Sequence, residues 1–159
     1  MSDDIRTHIP ALRVYSRALC RSHPDAEDLL QETLLRAIEY AHRYQPGTNM
    51  RAWLFTIMRN RFFNDCRKRD RERTGETDCA SLLQRVDADQ EWHVSIRELN
   101  AALRDMSRHY REAIILVGAI GESYIDAAGI LGCNIGTIKS RVNRARALLR
   151  QALEIDEHV

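Results

Sequence analysis

Residues 136–150, GTIKSRVNRARALLR, carry Lys139, Arg141, Arg144, Arg146 and Arg150 and no carboxylate. The whole chain is nearly neutral, with 24 Lys+Arg against 23 Asp+Glu, so the uncompensated charge is local. No covalent chemistry follows from these side chains. Recognition does: Lys, Arg, Ser and Asn all hydrogen-bond base edges in a DNA major groove, and flanking Arg holds phosphates. Wound as a helix at about 100° per residue, the stretch puts Ile138, Val142, Ala145 and Leu149 on one side. Lys139, Ser140, Asn143, Arg144, Ala147 and Arg150 fall opposite, with Arg141 and Arg146 at the flanks. A carboxylate there would be repelled by the DNA backbone. Charge runs are more often solvated surface, and the segment just upstream favours the DNA reading. In SYIDAAGILGCNI, Ala127 and Ala128 let a second helix cross closely, and Gly132 can take the positive φ that ends the first helix. Together these make a helix-turn-helix.

Two further surfaces sit in the other half. After Asp25, which can cap a helix, Ala26, Leu29, Leu30, Leu34, Ile38 and Ala41 recur at helical spacing as one apolar stripe. Asp28, Gln31, Glu32, Leu35 and Glu39 gather on the outer face. Acid around one exposed Leu suits a basic protein partner with an apolar dimple, and it equally suits plain solvation. The next helix, 50–73, is apolar early (Trp53, Phe55, Phe62, Phe63) and basic late (Arg67, Lys68, Arg69, Arg71, Arg73). Trp53, Leu54 and Ile57 read as core. A cationic helix end beside aromatic rings also suits single-stranded nucleic acid. Arg61 falls near the core side of that wheel, an odd place for a guanidinium.

These elements require an all-α fold. Three Pro and seven Gly in 159 residues, with few β-branched runs, favour helices. QPGTN at 45–49 is a turn. Composition shifts at Thr74: across 74–98, Glu76, Asp78, Asp87, Asp89, Glu91 and Glu98 face only Arg85 and Arg97. That is an acidic linker, after which helical pattern resumes near Val94 and runs through four short helices to an acidic tail (Glu154, Asp156, Glu157). The expected organisation is residues 1–73, a linker at 74–93, and residues 94–159. The acidic linker and tail are suited to discourage DNA binding by the free chain.

Cys20, Cys66, Cys79 and Cys133 form no CxxC pair, so neither metal site nor disulfide is expected, and no cofactor. Acid at the start of the chain argues against a signal peptide, and no apolar run approaches membrane-spanning length. A soluble, cytoplasmic protein is expected. Without clustered carboxylates, a nucleophile–base pair or a Gly-rich phosphate loop, an enzyme is not.

DAEDLLQETLLRA, YQPGTNMRAWLFTIMRN and SYIDAAGILGCNIGTIKSRVNRAR together resemble the extracytoplasmic-function (ECF) sigma factors of bacterial RNA polymerase. Over residues 8–152 only the linker is unmatched, and EAIILVGAIGESY with GCNIGTIKSRVNRAR is most similar to the EcfG type, the general-stress sigma factors of alphaproteobacteria. The resemblance implies two domains, a promoter-melting sigma domain 2 and a helix-turn-helix sigma domain 4. It implies core polymerase as partner, through the β′ clamp helices, at Asp28, Gln31, Glu32 and Leu35, and through the β flap. It implies capture of an unstacked minus-ten base by the loop His42–Asn49, with Arg43, Tyr44, Gln45, Thr48, Asn49, Asn60, Arg67 and Lys68 on that strand and Asn60 lining the pocket. Minus-thirty-five readout falls to Thr137, Lys139, Ser140, Arg141, Asn143, Arg144 and Arg146. Control by a NepR-like anti-sigma factor, released by a PhyR-like response regulator, is likewise implied. Two departures stand out: MSRHYR lacks the Pro usual before its helix, and Asn134 stands where Pro or Ala is commoner.

Two other readings fit parts of the chain. A sigma-mimic decoy would be degraded at WLF and the recognition helix, and both are intact here. A helix-turn-helix repressor would bind a two-fold site without polymerase.

Overall fold

The computed structural model describes residues 2–20, 22–72 and 91–153. Eight α-helices follow in order among them: α1 (Ser2–Thr7), α2 (Ile9–Leu19), α3 (His23–Glu39), α4 (Met50–Glu72), α5 (Glu91–Asp105), α6 (Arg108–Ile114), α7 (Tyr124–Leu131) and α8 (Ile135–Ala152). A 3-10 turn, Ala41–Arg43, follows α3, and a π-helical turn, Ile115–Ile120, extends α6. Among the described residues there is no strand, and no helix is long and apolar enough to cross a membrane. Most of the acidic linker and the tail acids Glu154, Asp156 and Glu157 lie outside the described residues.

Helices α1–α4 form the first bundle. Leu12, Tyr15, Leu19, Leu54, Phe55 and Met58 are buried at its centre, with the Tyr15 and Phe55 rings edge-on at 5.1 Å. The start of α3 differs from expectation. Ser22, not Asp25, is the cap, its hydroxyl accepting the Asp25 N–H at 3.2 Å. Asp25 sits in the first turn, where a negative charge faces the positive end of the helix dipole. Ile38, expected in the buried stripe, is 65% exposed. The observed stripe centres on Ala26, Leu30, Thr33 and Ala37, and Ile38 lies about 120° round the helix from it.

Helices α5–α8 form the second bundle around Leu116, Ala127, Ile138, Val142 and Ala145. Gly132 ends α7 at φ +68°, and the Cys133 N–H then closes on the Ala128 carbonyl at 3.1 Å. Asn134 has a physical reason to be there. It caps α8, its Oδ1 accepting the Thr137 N–H at 2.8 Å, a role proline cannot fill. At the other departure, α6 begins at Arg108 after Ser107 without a side-chain cap.

The two bundles touch. α2 and α4 pack against α6, the π turn and α7, so the molecule is closed rather than splayed.

Candidate nucleic-acid and protein interfaces

On α8 the amphipathic pattern holds. Ile138, Val142 and Ala145 are buried and Leu149 is half-buried, while Lys139, Ser140, Asn143, Arg144 and Arg146 are exposed. Thr137 and Arg141 are intermediate. Thr137 spends its hydroxyl on Asn134 Oδ1 at 2.9 Å, and an Arg141 guanidinium N–H reaches Cys133 Sγ at 3.9 Å. The Lys139 ammonium lies 5.8 Å from the centre of the Tyr124 ring. The α8 face therefore presents cations, one amide and one hydroxyl, the groups that read base edges.

The α3 face exposes Asp28, Gln31, Leu35 and Glu39, with Glu32 partly covered. Leu35 is 63% exposed, and Ile38 at 65% stands one turn on, so the apolar spot is a pair. Arg61 explains the cover over Glu32: it lies 3.6 Å from Glu32 and 3.4 Å from Asp65, tying α4 to α3.

Asn49 begins α4. Its Oδ1 accepts the Ala52 N–H at 3.1 Å, so the turn 45–49 delivers the helix already capped. Tyr44 packs on Trp53 with ring centres 5.2 Å apart, and its hydroxyl donates to the Thr48 carbonyl at 2.8 Å. A cleft of about 370 Å³ opens here, lined by Asp4, Thr7, His8, Tyr44, Thr48, Asn49 and Met50. Of the expected minus-ten residues, the structure brings Tyr44, Thr48 and Asn49 to this cleft. Asn60 does not line it, being about 16 Å along α4 from Asn49, although three helical turns bring it back to nearly the same face. Arg67 shares that row two turns later, and Arg43, Gln45, Asn60, Arg67 and Lys68 are all exposed.

Between the bundles lies a polar seam that the sequence did not announce. Glu112 is fully buried; it accepts from the Tyr15 hydroxyl at 2.7 Å and from Arg59 Nε at 3.0 Å, both in the first bundle. Burial, then the Glu112 charge, pushes the Tyr15 phenol well above its ordinary pKa. Arg111, also fully buried, donates from Nε to the Ala18 carbonyl at 2.9 Å and from Nη1 to the Leu103 and Met106 carbonyls. Glu122, 4% exposed, pairs with Arg51. The Asn49 amide donates to Glu122 at 3.1 Å and to Asp126 at 3.0 Å. Partial burial, and then Arg51, holds His8 below the usual imidazole range. The π turn places Glu122: Gly121 at φ +91° lets both its own N–H and that of Glu122 bond the Leu116 carbonyl. The sole sequence signal was a pair of charges, Arg111 and Glu112, set directly before the apolar run AIILVGAI.

Two family models match the chain, Sigma-70 region 2 over residues 5–72 and Sigma-70 region 4 over residues 96–149. The ECF RNA polymerase sigma factor EcfG of Rhodopseudomonas palustris is 47% identical over 156 residues, 98% of this chain and 86% of that relative. The sigma factor RpoE of Bartonella quintana, solved in complex with the anti-sigma factor NepR, superposes with a TM-score of 0.85 at 41% identity, covering 98% of each chain. CnrH, solved with the cytosolic domain of CnrY, gives 0.70 at 25% identity, covering 98% of this chain and 88% of that one. The chain belongs to the ECF sigma factors, transcription initiation factors and not enzymes.

Proposed function

We propose that residues 1–73 bind core polymerase and hold the melted minus-ten strand, that 74–93 tether the halves, and that 94–159 anchor duplex at the minus-thirty-five element. In this reading the α3 face of Asp28, Gln31, Glu32 and Leu35 docks on the β′ clamp helices. The second domain meets the β flap. Lys139, Ser140, Asn143 and Arg144 enter the major groove, with Thr137, Arg141 and Arg146 toward the backbone. No covalent step is involved. Extruding a base costs about a few kcal/mol, offset by stacking and pocket contacts, and each good base contact contributes ~1–3 kcal/mol. Near-neutral net charge keeps the free protein off non-specific sites, where phosphate contacts alone give affinity.

The observation that carries this reading is the α8 face, exposed, cationic and free of carboxylates beside a buried apolar stripe. Likeness to EcfG and to an RpoE solved with NepR supports a role at general-stress promoters under a small helical anti-sigma factor. A response regulator carrying a sigma-like domain would release that inhibitor.

Run-off transcription with purified core polymerase on a stress promoter of the same genome tests the assignment. Wild type is expected to initiate, and Arg144→Ala and Asp28→Ala to lose most of the product. Full activity in both variants would overturn the residue roles.

A further inference from the structure

The cleft beside Tyr44 has a wall that belongs to no interface described so far. Asp4, on the short helix α1, and His8, just after that helix, line it together with Tyr44, Thr48 and Met50. Ile5 is buried in the core and seats α1, so this wall is held in place. The loop side is fixed as well. Tyr44 rests on Trp53 with ring centres 5.2 Å apart and donates to the Thr48 carbonyl at 2.8 Å, and the Thr48 hydroxyl donates to the Gln45 carbonyl at 2.7 Å. The cleft is thus built before any ligand arrives. Its volume of about 370 Å³ falls in the range of small-ligand sites, about 300–1,000 Å³. All its lining residues belong to the first bundle, and the loop residues Thr48 and Asn49 are exposed. Asp4 carries the one full charge among them. Partial burial, and then Arg51, keeps His8 below the usual imidazole range, so its ring is neutral above pH 7.

We infer that this cleft is a second base-binding site on the melted strand, one that selects guanine through Asp4. The inference rests on the reading of the His42–Asn49 loop as strand-binding. Asn60, implied for the captured minus-ten base, lies about 16 Å along α4 from Asn49 and outside the cleft, so the two places do not share one base. A single acid in an otherwise uncharged cleft turns a phosphate away and attracts donors. An unstacked base offers its Watson–Crick edge. On guanine that edge carries two adjacent donors, the ring N–H and the exocyclic amine, which match the two acceptor oxygens of a carboxylate. Cytosine and adenine bring one amine each. Thymine brings one N–H between two carbonyls, whose oxygens Asp4 repels. His8 follows four residues after Asp4 through helical backbone, which sets the two on one side. Its neutral ring has one N–H to donate, suited to the guanine carbonyl. The Tyr44 ring supplies a stacking surface and Met50 a buried apolar floor. Two seats fix the register of a strand, where one fixes only a point.

The experiment uses the full chain reconstituted with core polymerase. The probe is a labelled fork-junction form of a promoter from which the wild type initiates. Its melted minus-ten strand carries, at each position in turn, each of the four bases or an abasic nucleotide, and binding is read by fluorescence anisotropy. Wild type should lose affinity on abasic replacement at two positions. At one of them guanine should bind about tenfold tighter than thymine, within the range of one good bidentate pair. Asp4→Asn should bring that ratio close to one, because an amide serves either base, and His8→Ala should lower it in the same direction. Asn60→Ala should act at the other position only. Asp4 is exposed, so thermal unfolding of Asp4→Asn should match wild type. An unchanged guanine–thymine ratio in Asp4→Asn overturns the site. An equal fall in Asp105→Asn, at an exposed acid of the second bundle, would reduce the effect to net charge and overturns it too. So does finding Asp4→Asn and Asn60→Ala at one shared position. A wild type sensitive at a single position sinks the second seat and leaves the strand-binding reading standing. One that ignores every abasic replacement sinks that reading, and the second seat with it.

Discussion

Arg59 of the first bundle and Glu112 of the second meet at 3.0 Å, with the Glu112 side chain only 1% exposed. The Tyr15 hydroxyl donates to the same carboxylate oxygen at 2.7 Å, and Arg108 stands 3.9 Å from the other, beyond hydrogen-bond distance. A carboxylate this buried is tolerated because a hydroxyl and a guanidinium donate to Oε1 and a second guanidinium stands near Oε2. The two halves of the chain thus meet through buried ions set within an apolar core that spans both bundles.

Removing the acceptor should open the seam before it unfolds either bundle. Glu112→Ala leaves the Tyr15 hydroxyl and Arg59 facing each other across a void. Breaking a buried pair from one side typically costs about 3–5 kcal/mol. Arg59 keeps 20% exposure, so about 2–4 kcal/mol of closed-state stability is the expected loss. Small-angle scattering should show an expanded particle, with far-ultraviolet dichroism unchanged. Glu112→Gln, which keeps an acceptor, should open it less.

The apolar pair on α3 gives a contrast between stability and binding. Leu35 and Ile38 are 63% and 65% exposed, so truncating them to Ala should move the unfolding midpoint little, within about 0.5 kcal/mol. Each buries on docking and should cost ~1–2 kcal/mol of polymerase affinity. A pull-down titration against core polymerase reads the loss. Equal affinity in Leu35→Ala/Ile38→Ala would remove this face from the interface.

Ile38 shows what spacing in a sequence carries and what it does not. A helical stripe is read by spacing, and Ile38 keeps the spacing from Leu34 while lying about 120° from the true centre of burial. Only the positions of α2 and α4 decide which side of a broad stripe is covered. α8 was fully legible because its two faces differ in kind, apolar against cationic. The seam was not: Glu112 and Glu122 belong to no periodic pattern, and their partners lie 97, 53 and 71 positions away. The same holds for Arg61, anomalous on a wheel and plain once Glu32 and Asp65 flank it. Pairings at such separation are set by bundle packing, which local spacing does not encode.

Alkaline pH should unfold the chain through groups kept neutral by burial. Burial pushes the Cys20 thiol to about 12 from an ordinary 9, with Asp25 adding to it, and Tyr15 moves the same way. In each case the folded state holds its proton while the unfolded state releases it. Stability is therefore full below about pH 9 and falls as pH rises from there toward 12. The slope reaches at most about 1.4 kcal/mol per pH unit for each group. Urea midpoints at pH 8 and pH 10.5 should differ accordingly, and iodoacetamide at pH 8 should spare Cys20 in the folded chain. Ready alkylation there would contradict its burial.

Arg144 tests the cationic face of α8 most directly. It is exposed, has carboxylates neither before nor after it on α8, and sits one residue from Asn143 on the outward face. Arg144→Ala should therefore leave folding intact, since nothing in the core depends on it. On the proposed base-reading role, its loss should cost ~1–3 kcal/mol, roughly five- to 150-fold in promoter occupancy, and only at promoters carrying the cognate base. Arg146→Ala, toward the backbone, should instead weaken all promoters alike and flatten the salt dependence by about one counterion. Run-off transcription across a panel of single-base promoter variants at two salt concentrations distinguishes them. If Arg144→Ala lowered every promoter equally, it would be a phosphate clamp, and base readout would pass to Lys139, Ser140 and Asn143.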